Sequence, residues 1–461
     1  MPVHRGRTYG CRTQDKETTM DSSLAEASPA VKQPARGGGA EEARVCRKVM
    51  IRLVPLLFVA YLFCQLDRLN ISFAQIQMKS IPGFGDAVYG LGAGLFFIAY
   101  MIFEVPSGLL LQRIGIRKTL CRIMVGWGLV SALTALVRTP AQFYLARLLL
   151  GACEAGFFPS VVYYFSTWLP VAYRGRVLGI FMSAAVLAGV FGGPLAGFLM
   201  NGMHGAQGLA GWQWLLIVEG VPSIALGIVV LLRIDDKPAD AGWLSKAELV
   251  ILEEAIAAHR IEGARHHRGI GEVVRDPYVY RLAGIYFLTT MPAYGLGFWT
   301  PQIIQSFGVT SALHVGLYAA IPSAAAFVSM ILLSRHSDRK LERRWHYALP
   351  AFVGAGALVV AASGGLPIPV ALGALSVAYA GLLSIVPVFW PVPTSYLGAG
   401  AAASGLAFIN TLGVCSGFVA PVMFGFMREA TGSLAGGLLV LAACACAAGS
   451  AMLAGVRKTM T

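Results

Sequence analysis

Long runs of apolar residues, separated by short polar turns, dominate the chain from about residue 49 onward. Twelve such runs can be drawn, centred near residues 60, 99, 128, 154, 189, 223, 291, 323, 355, 379, 411 and 445. Each offers the roughly 20 residues a helix needs to cross a hydrocarbon core of about 30 Å. A barrel strand would show about ten residues of alternating character, and the runs do not alternate. The pattern predicts an all-α membrane protein with 12 transmembrane helices. The sixth run ends near Arg233 and a polar stretch precedes the seventh, so the spans form two six-helix bundles. The divisions expected are a polar, disordered tail over 1–48, an N-terminal bundle over 49–234, a linker over 235–277 and a C-terminal bundle over 278–457. Within the linker, LSKAELVILEEAIAAHR reads as an amphipathic helix, with Ser245 as N-cap and Glu248 closing a capping box.

Composition agrees with the pattern. Of 461 residues, 56% are hydrophobic and 13% charged, and the mean hydropathy is +0.67. A soluble globular chain carries about 25% charged residues. The net charge of +13 raises the question of a polyanionic partner such as nucleic acid. The distribution of the charge removes that reading. Lys79, Arg138 and Arg428 fall in odd-numbered loops, Arg68 and Arg147 lie within spans, and the rest of the 36 Lys and Arg sit in the tails or even-numbered loops. That asymmetry is the positive-inside signal, and it puts both termini and the linker in the cytoplasm. The eight cysteines show no disulfide framework, and no histidines stand at metal-ligand spacing. No P-loop, Rossmann glycine pattern or nucleophile elbow is present, so neither an enzyme nor a bound cofactor is expected.

The two halves share a marker. The loop after the second run reads GLLLQRIGIRK from Gly108 to Lys118, and the loop after the eighth reads SRHSDRKLERR from Ser334 to Arg344. Arg113, Arg117 and Lys118 recur at one common offset as Arg339, Arg343 and Arg344. Such internal repetition is what parallel-repeat transporters carry. At these residues the chain resembles the major facilitator superfamily, whose signature in this loop is Gly-x-Leu-Ala-Asp-Arg-x-Gly-Arg-Arg-Lys. More narrowly it resembles the anion:cation symporter family, carriers of tartrate, phthalate, hydroxyphenylacetate, sugar acids and nicotinate-type acids. The stretches that carry the likeness include LDRLNISFA (66–74), ARLLLGACEAGFFPS (146–160), GWQWLLIVEGVPS (211–223) and FWPVPTSYLGAGAAASGLAFINTLG (389–413). The resemblance implies a multi-pass carrier of a prokaryotic inner membrane, complete as a monomer. It also implies a gating role for Gly108, Arg113, Gly115 and Arg117, with Asp338 and Arg339 as their counterparts. Gln112 stands where the family has an acid.

The candidate chemistry is a set of ionisable residues inside apolar runs, namely Asp67 and Arg68 in the first and Arg147 and Glu154 in the fourth. A charge at the bilayer centre costs from about 2.5 to well above 10 kcal/mol, so these residues need a polar cavity and partners. Arg147 and Glu154 are two helical turns apart, on one face and separated by about 10 Å along the axis. Asp67 and Arg68 point about 100° apart around their helix. A guanidinium suits a carboxylate because its planar fork binds bidentately and stays charged. A buried acid suits a proton, because its affinity rises when a cationic partner is withdrawn. The family likeness implies that Arg68 and Arg147 bind an organic anion, with Asn70 and Asn410 reaching its hydroxyls or carboxylate. It further implies that Asp67 and Glu154 carry protons, all four charges sharing one site and each arginine holding an acid when empty. Glu104 and Glu219 are read as structural or gating. The bland alternative is that the four charges only fasten helices together. Two other functions stay open. AGVFGGPLAG partly matches a drug:proton antiporter motif through Gly189, Gly193, Pro194 and Gly197, with Phe198 replacing its last glycine. A transporter-derived sensor would signal through the tail or linker.

Overall fold

The computed structural model describes residues 38–258 and 270–455, and among these the regular structure is helical throughout. The first half comprises α1 (Gly38–Met78), α2 (Asp86–Ile114), α3 (Ile116–Thr134), α4 (Pro140–Glu154), α5 (Phe157–Trp168), α6 (Val171–Gly202) and α7 (Gly211–Arg233). The linker contributes α8 (Lys246–Ala258) and α9 (Ile270–Arg275). The second half comprises α10 (Pro277–Ser306), α11 (Ala312–Lys340), α12 (Arg344–Ala362), α13 (Ile368–Phe389), α14 (Pro391–Val414), α15 (Ser416–Thr431) and α16 (Ala435–Gly455). Among the described residues, 10 stretches are long and apolar enough to cross a membrane, with α4 and α5 counted as one and α14 divided between the stretches Ile368–Leu397 and Gly405–Thr431. The long helices outside that set are α3, which opens on Arg117, Lys118 and Arg122, and α10, whose run is diluted by Thr289, Thr290, Pro292 and Gln302. Both pack inside the bundle, α3 on α7 and α4, α10 on α14, α15 and α16.

The first helix starts earlier than the sequence suggested. Residues 38–48, expected in a disordered tail, form the opening turns of α1, with Val45, Cys46 and Val49 buried. The remainder of that tail, 1–37, lies outside the described residues. The early start has a cause in the linker. Leu252 of α8 is buried in the same core as Val45 and Cys46, giving that end of α1 an apolar surface to pack on. The expected capping box is present: the Ser245 amide donates to Glu248 Oε2 at 2.9 Å and the Glu248 amide to Ser245 Oγ at 3.2 Å. Lys48 Nζ then reaches Glu248 Oε2 at 2.8 Å. Trp243 stacks on Trp168 at 5.7 Å and lies 4.8 Å from the Arg52 guanidinium. His259 and Arg260, the last residues expected in this helix, lie outside the described residues.

This clamp yields a pH prediction. Lys48 and the Ser245 amide hold the Glu248 carboxyl down at about 2, against an ordinary value of 4.5. A depressed folded-state pKa stabilises above the unfolded value and is lost as pH falls through the folded one. Docking of α8 is therefore expected to be complete above about pH 4.5 and to weaken towards pH 2. Protease nicking of the linker reads it, and Glu248→Gln should remove the pH dependence.

The repeated basic loops do the same work in each half. Arg117 at the start of α3 donates through Nη2 to Leu231 O at 2.7 Å, near the last carbonyls of α7. Arg344 at the start of α12 donates to Leu453 O, near the end of α16. A cation at a helix C-terminus satisfies orphaned carbonyls and the helix dipole. Gly115 has a left-handed φ of 83°, and a Cβ there would lie 2.8 Å from Asp236 Oδ1, the carboxylate that accepts the Arg117 amide. Asp338 pairs with Arg343 at 2.6 Å, while Arg113 and Arg339 are exposed and a Cβ at Gly108 would meet nothing within 4 Å. Among the described residues, no hydrogen bond or ion pair joins these expected gating residues to the opposite half. What the structure assigns to Arg117 is a capping role within its own half.

The halves meet at the ends away from the linker, where α2 packs on α15, α6 on α11 and α1 on α10. Asp86 gathers Lys79 at 3.0 Å, Gln75 at 2.8 Å and, from the other half, Arg428 at 3.3 Å. Glu429 accepts the Ala87 amide at 2.8 Å, and Tyr89 donates to Phe298 O at 2.6 Å. Small residues bring the helices close. A Cβ on Gly193 would come within 2.5 Å of Gly316 O. Towards the linker, Val105 and Leu109 of α2 and Leu332 of α11 are uncovered. Within the first half, α3 and α7 cross at Gly128 and Gly220, where a Cβ on Gly128 would lie 2.6 Å from Gly220 O. Gly128→Val is expected to cost at least the 1–3 kcal/mol or so of an overpacked core, seen as a lowered melting temperature in detergent.

Candidate functional site

The site is built around a break in the fourth span. The sequence reads as one continuous run there, yet α4 stops at Glu154 and α5 restarts at Phe157. Gly156 supplies the turn with a left-handed φ of 89°, and a Cβ there would collide with the Ser107 hydroxyl. The break leaves Glu154 at the C-terminal end of α4, 1% exposed, where Oε1 pairs with Arg68 of α1 and accepts Cys64 Sγ at 3.2 Å.

Arg147 lies two turns earlier on α4, 2% exposed. Its Cζ is 5.0 Å from the centre of the Phe96 ring, and Arg68 Cζ is 5.3 Å from the same ring. One aromatic side chain of α2 thus serves two guanidiniums, a cation–π arrangement that orients both without neutralising either. Phe97 packs edge-on against Phe96 and Tyr294, so the opposite half reaches this cluster through Tyr294. The donors are underused. Arg147 Nε makes a long contact of 3.4 Å to Gly92 O, while Arg147 Nη2 and Arg68 Nε are buried without a partner. Buried guanidinium donors without acceptors are rare and costly. A carboxylate arriving beside Phe96 would supply what they lack.

Asp67 is elsewhere, and here the sequence expectation is corrected. Its carboxylate faces α3 and α7, accepting Ser131 Oγ at 2.7 Å, Ser223 Oγ at 2.9 Å and Asn70 Nδ2 at 3.3 Å. Among the described residues no arginine holds it. The turn of about 100° between neighbouring residues sends Arg68 to the α2–α4 side and Asp67 to the α3–α7 side. The four charges therefore divide into an Arg68–Arg147–Glu154 group and a separate Asp67 group. Asn70, expected to touch substrate, is 3% exposed and belongs to the Asp67 group. Asn410 is half-buried on α14 in the other half.

Sequence reasoning left two residues short of their place. Phe96, the ring shared by both arginines, carried no signal in an apolar run. Glu219 was read as structural or gating, yet it is 1% exposed beside Asp67, with Oε2 unpartnered. Its position four residues before Ser223, one helical turn, was the available clue. Glu104 is half-buried one turn from Tyr100, which itself lies 5.6 Å from Arg68. The antiporter-like glycines have packing work: Gly193 and Gly197 receive the backbone of α11, and Gly189 faces the Ser323 hydroxyl of the same helix.

Two packed helical halves, with Arg147 buried beside the half-buried Arg68, are the frame of a multi-pass membrane transporter and not an enzyme. Residues 57–421 match the model of the Major Facilitator Superfamily, and the chain belongs to that superfamily. It is 43% identical over 401 residues to a putative tartrate transporter of Agrobacterium vitis, a match covering 87% of this chain and 89% of that protein. It is 39% identical over 402 residues to a quinolone resistance transporter of Acinetobacter baumannii, covering 87% and 92%. Among solved structures, a D-xylose-proton symporter superposes with a TM-score of 0.72 at 16% identity, over 89% of this chain and 98% of that one. At that identity the likeness concerns the fold alone.

Proposed function

We propose that the protein imports an organic-acid anion together with protons across a bacterial inner membrane by alternating access, as a monomer. The observation that carries this reading is Arg147, buried with Nη2 unpartnered one ring away from the Arg68–Glu154 pair. The tartrate transporter relative supports an organic acid as cargo. In the proposed cycle, α3 and α10 complete twelve spans, the termini face the cytoplasm, and the contacts away from the linker close the outer side. An arriving carboxylate takes over Arg68 and engages Arg147, and Glu154, released from its partner, binds a proton. Carboxylate and proton together leave the net charge of the group unchanged while both guanidiniums gain an acceptor, and the halves can then rock. Energetics favour co-transport, since each net negative charge moved inward against the potential costs about 2.3 kcal/mol per 100 mV. One proton makes a monoanion neutral, and a dicarboxylate needs two.

The test is uptake of radiolabelled tartrate, galactonate, phthalate, 4-hydroxyphenylacetate and nicotinate into energised vesicles, with and without a pH gradient. Accumulation of one acid, collapsed by a protonophore, is the expected result. A second reading, drug:proton antiport, has the quinolone resistance relative in its favour. A quinolone is itself a carboxylic acid, so direction of transport separates the readings more sharply than the receptor does. Proton-driven export of a fluorescent quinolone, with no acid imported, would replace the first reading by the second.

A further inference from the structure

Three side chains at the linker-side turn between α11 and α12 form a chain that the arginine site does not use. His346 Nδ1 lies 2.6 Å from Glu342 Oε2, and His346 Nε2 lies 2.6 Å from His336 Nδ1. A carboxylate only accepts, so Nδ1 of His346 carries the proton and its Nε2 presents a lone pair. His336 Nδ1 then donates to that lone pair. Glu342 also accepts the Trp345 and His346 amides at 2.8 and 3.2 Å, capping the first turn of α12. The turn has fastenings besides the histidines. Ser337 Oγ donates to Glu342 O at 2.7 Å, and Asp338 holds Arg343. The contact between the rings can therefore open while the turn stays folded.

The geometry makes that contact sensitive to protons. One extra proton on the pair still leaves a donor facing an acceptor. Two extra protons put an N–H on both facing nitrogens, and a 2.6 Å contact cannot then persist. Imidazole is the side chain that ordinarily changes charge between about pH 5 and 8. Around the pair stand Arg335, Asp338, Arg339 and Lys340 of α11, Glu342 and Arg343 of the turn, and Arg344 of α12. The helices α13 and α16, packed against α11 and α12, carry no charged residue. Those that pack on α11 from elsewhere, α6 and α10, bring Arg174, Arg176 and Arg281 to the linker side. His336 has a second neighbourhood, a groove of about 730 Å³ along α11 lined by Val328, Ser329, Leu332 and Leu333. This is the face left uncovered towards the linker.

We propose that Glu342, His346 and His336 form a proton switch on the linker side, closed while the two rings share at most one extra proton and open when both are charged. Open, it leaves His336 as an unpaired imidazolium at the rim of the α11 groove. Burying an unpaired cation is costly, so in acid this face resists being covered. The switch follows from the turn alone. Its consequence, that acid on the linker side slows the carrier by hindering closure there, rests on the proposed function.

Solid-state NMR of the purified full-length protein in lipid, with its histidines labelled with nitrogen-15, tests the switch at about pH 8 and about pH 5, the limits of the imidazole range. At the higher pH the wild type should show nitrogen–nitrogen coupling across one N–H···N bond between two rings. The coupling should be lost at the lower pH and be absent at both from His336→Gln and from His346→Gln. Both variants keep Glu342 and its cap on α12, so the turn is preserved. Wild-type spectra with no such coupling at the higher pH, or with equal coupling at both, overturn the switch. The consequence is read separately, by exchange of labelled for unlabelled acid with equal pH on the two sides. Exchange should slow in acid more for the wild type than for His336→Gln, and equal slowing of the two overturns the hindered closure. A chain that exchanges no acid fails the proposed function, while the spectra still decide the switch.

Discussion

Arg147→Ala is expected to leave the protein folded and nearly inert, with uptake of its acid lowered by two to three orders of magnitude. The size follows from the geometry of a guanidinium fork. Each charge-assisted hydrogen bond is worth about 1.5–3 kcal/mol, and a bidentate carboxylate forms two of them. Loss of about 3–4 kcal/mol is a factor of 100 to 1,000. The protein should tolerate the change, because Arg147 is not the partner of Glu154; Arg68 is. Removing Arg147 therefore strands no acid. Arg147→Lys keeps the charge but not the fork and should recover only part of the activity. Initial rates in vesicles, beside the melting temperature of each purified variant, read the two effects apart. Activity of Arg147→Ala within threefold of the wild type would sink the receptor role.

Glu154→Gln has the second large effect, of a different kind. The amide keeps the shape of the carboxyl and removes its charge, so Arg68 loses its resident anion and the carrier loses the proton acceptor that substrate would release. Exchange of labelled for unlabelled acid across the membrane should persist, since it needs no net proton movement. Accumulation driven by a pH gradient should fall to equality of the two sides. One pH unit is worth about 1.4 kcal/mol per coupled proton, so the loss is about tenfold per proton for that gradient. Full pH-driven accumulation by this variant would remove Glu154 from the coupling scheme and leave it a helix fastener.

Much of this architecture was legible in the residues. Continuous apolar runs carry the all-helical, many-span architecture, because each is a signal of length that a bilayer enforces. That the intramembrane charges pair with one another was legible for the same reason, as such a charge has few places to go, but that Arg68 takes Glu154 was not. The rotation of each helix was not. Lipid and neighbouring helices are equally apolar, so composition does not mark which face of α1 looks inward. That is why Asp67 and Asn70 were assigned to the wrong cluster. The break after Glu154 was hidden because Gly156 in EAGFF reads as a packing glycine, and only its positive φ shows the turn. The helical start of α1 accompanies its packing on α8, about 200 positions away, an association no local pattern contains.

The seam between the halves offers a handle of another sort. Gly193 and Gly316 touch backbone to backbone across it, with 2.5 Å left for any added carbon on Gly193. The contact lies between the bundles and not within either, so an alanine at Gly193 acts as a wedge while each bundle keeps its core. One methyl group prises the far side apart and disfavours the arrangement seen here. Under the proposed alternating access, a carrier held in that way becomes a fixed target for conformation-selective binders, with the opposite state open to crystallisation without a ligand.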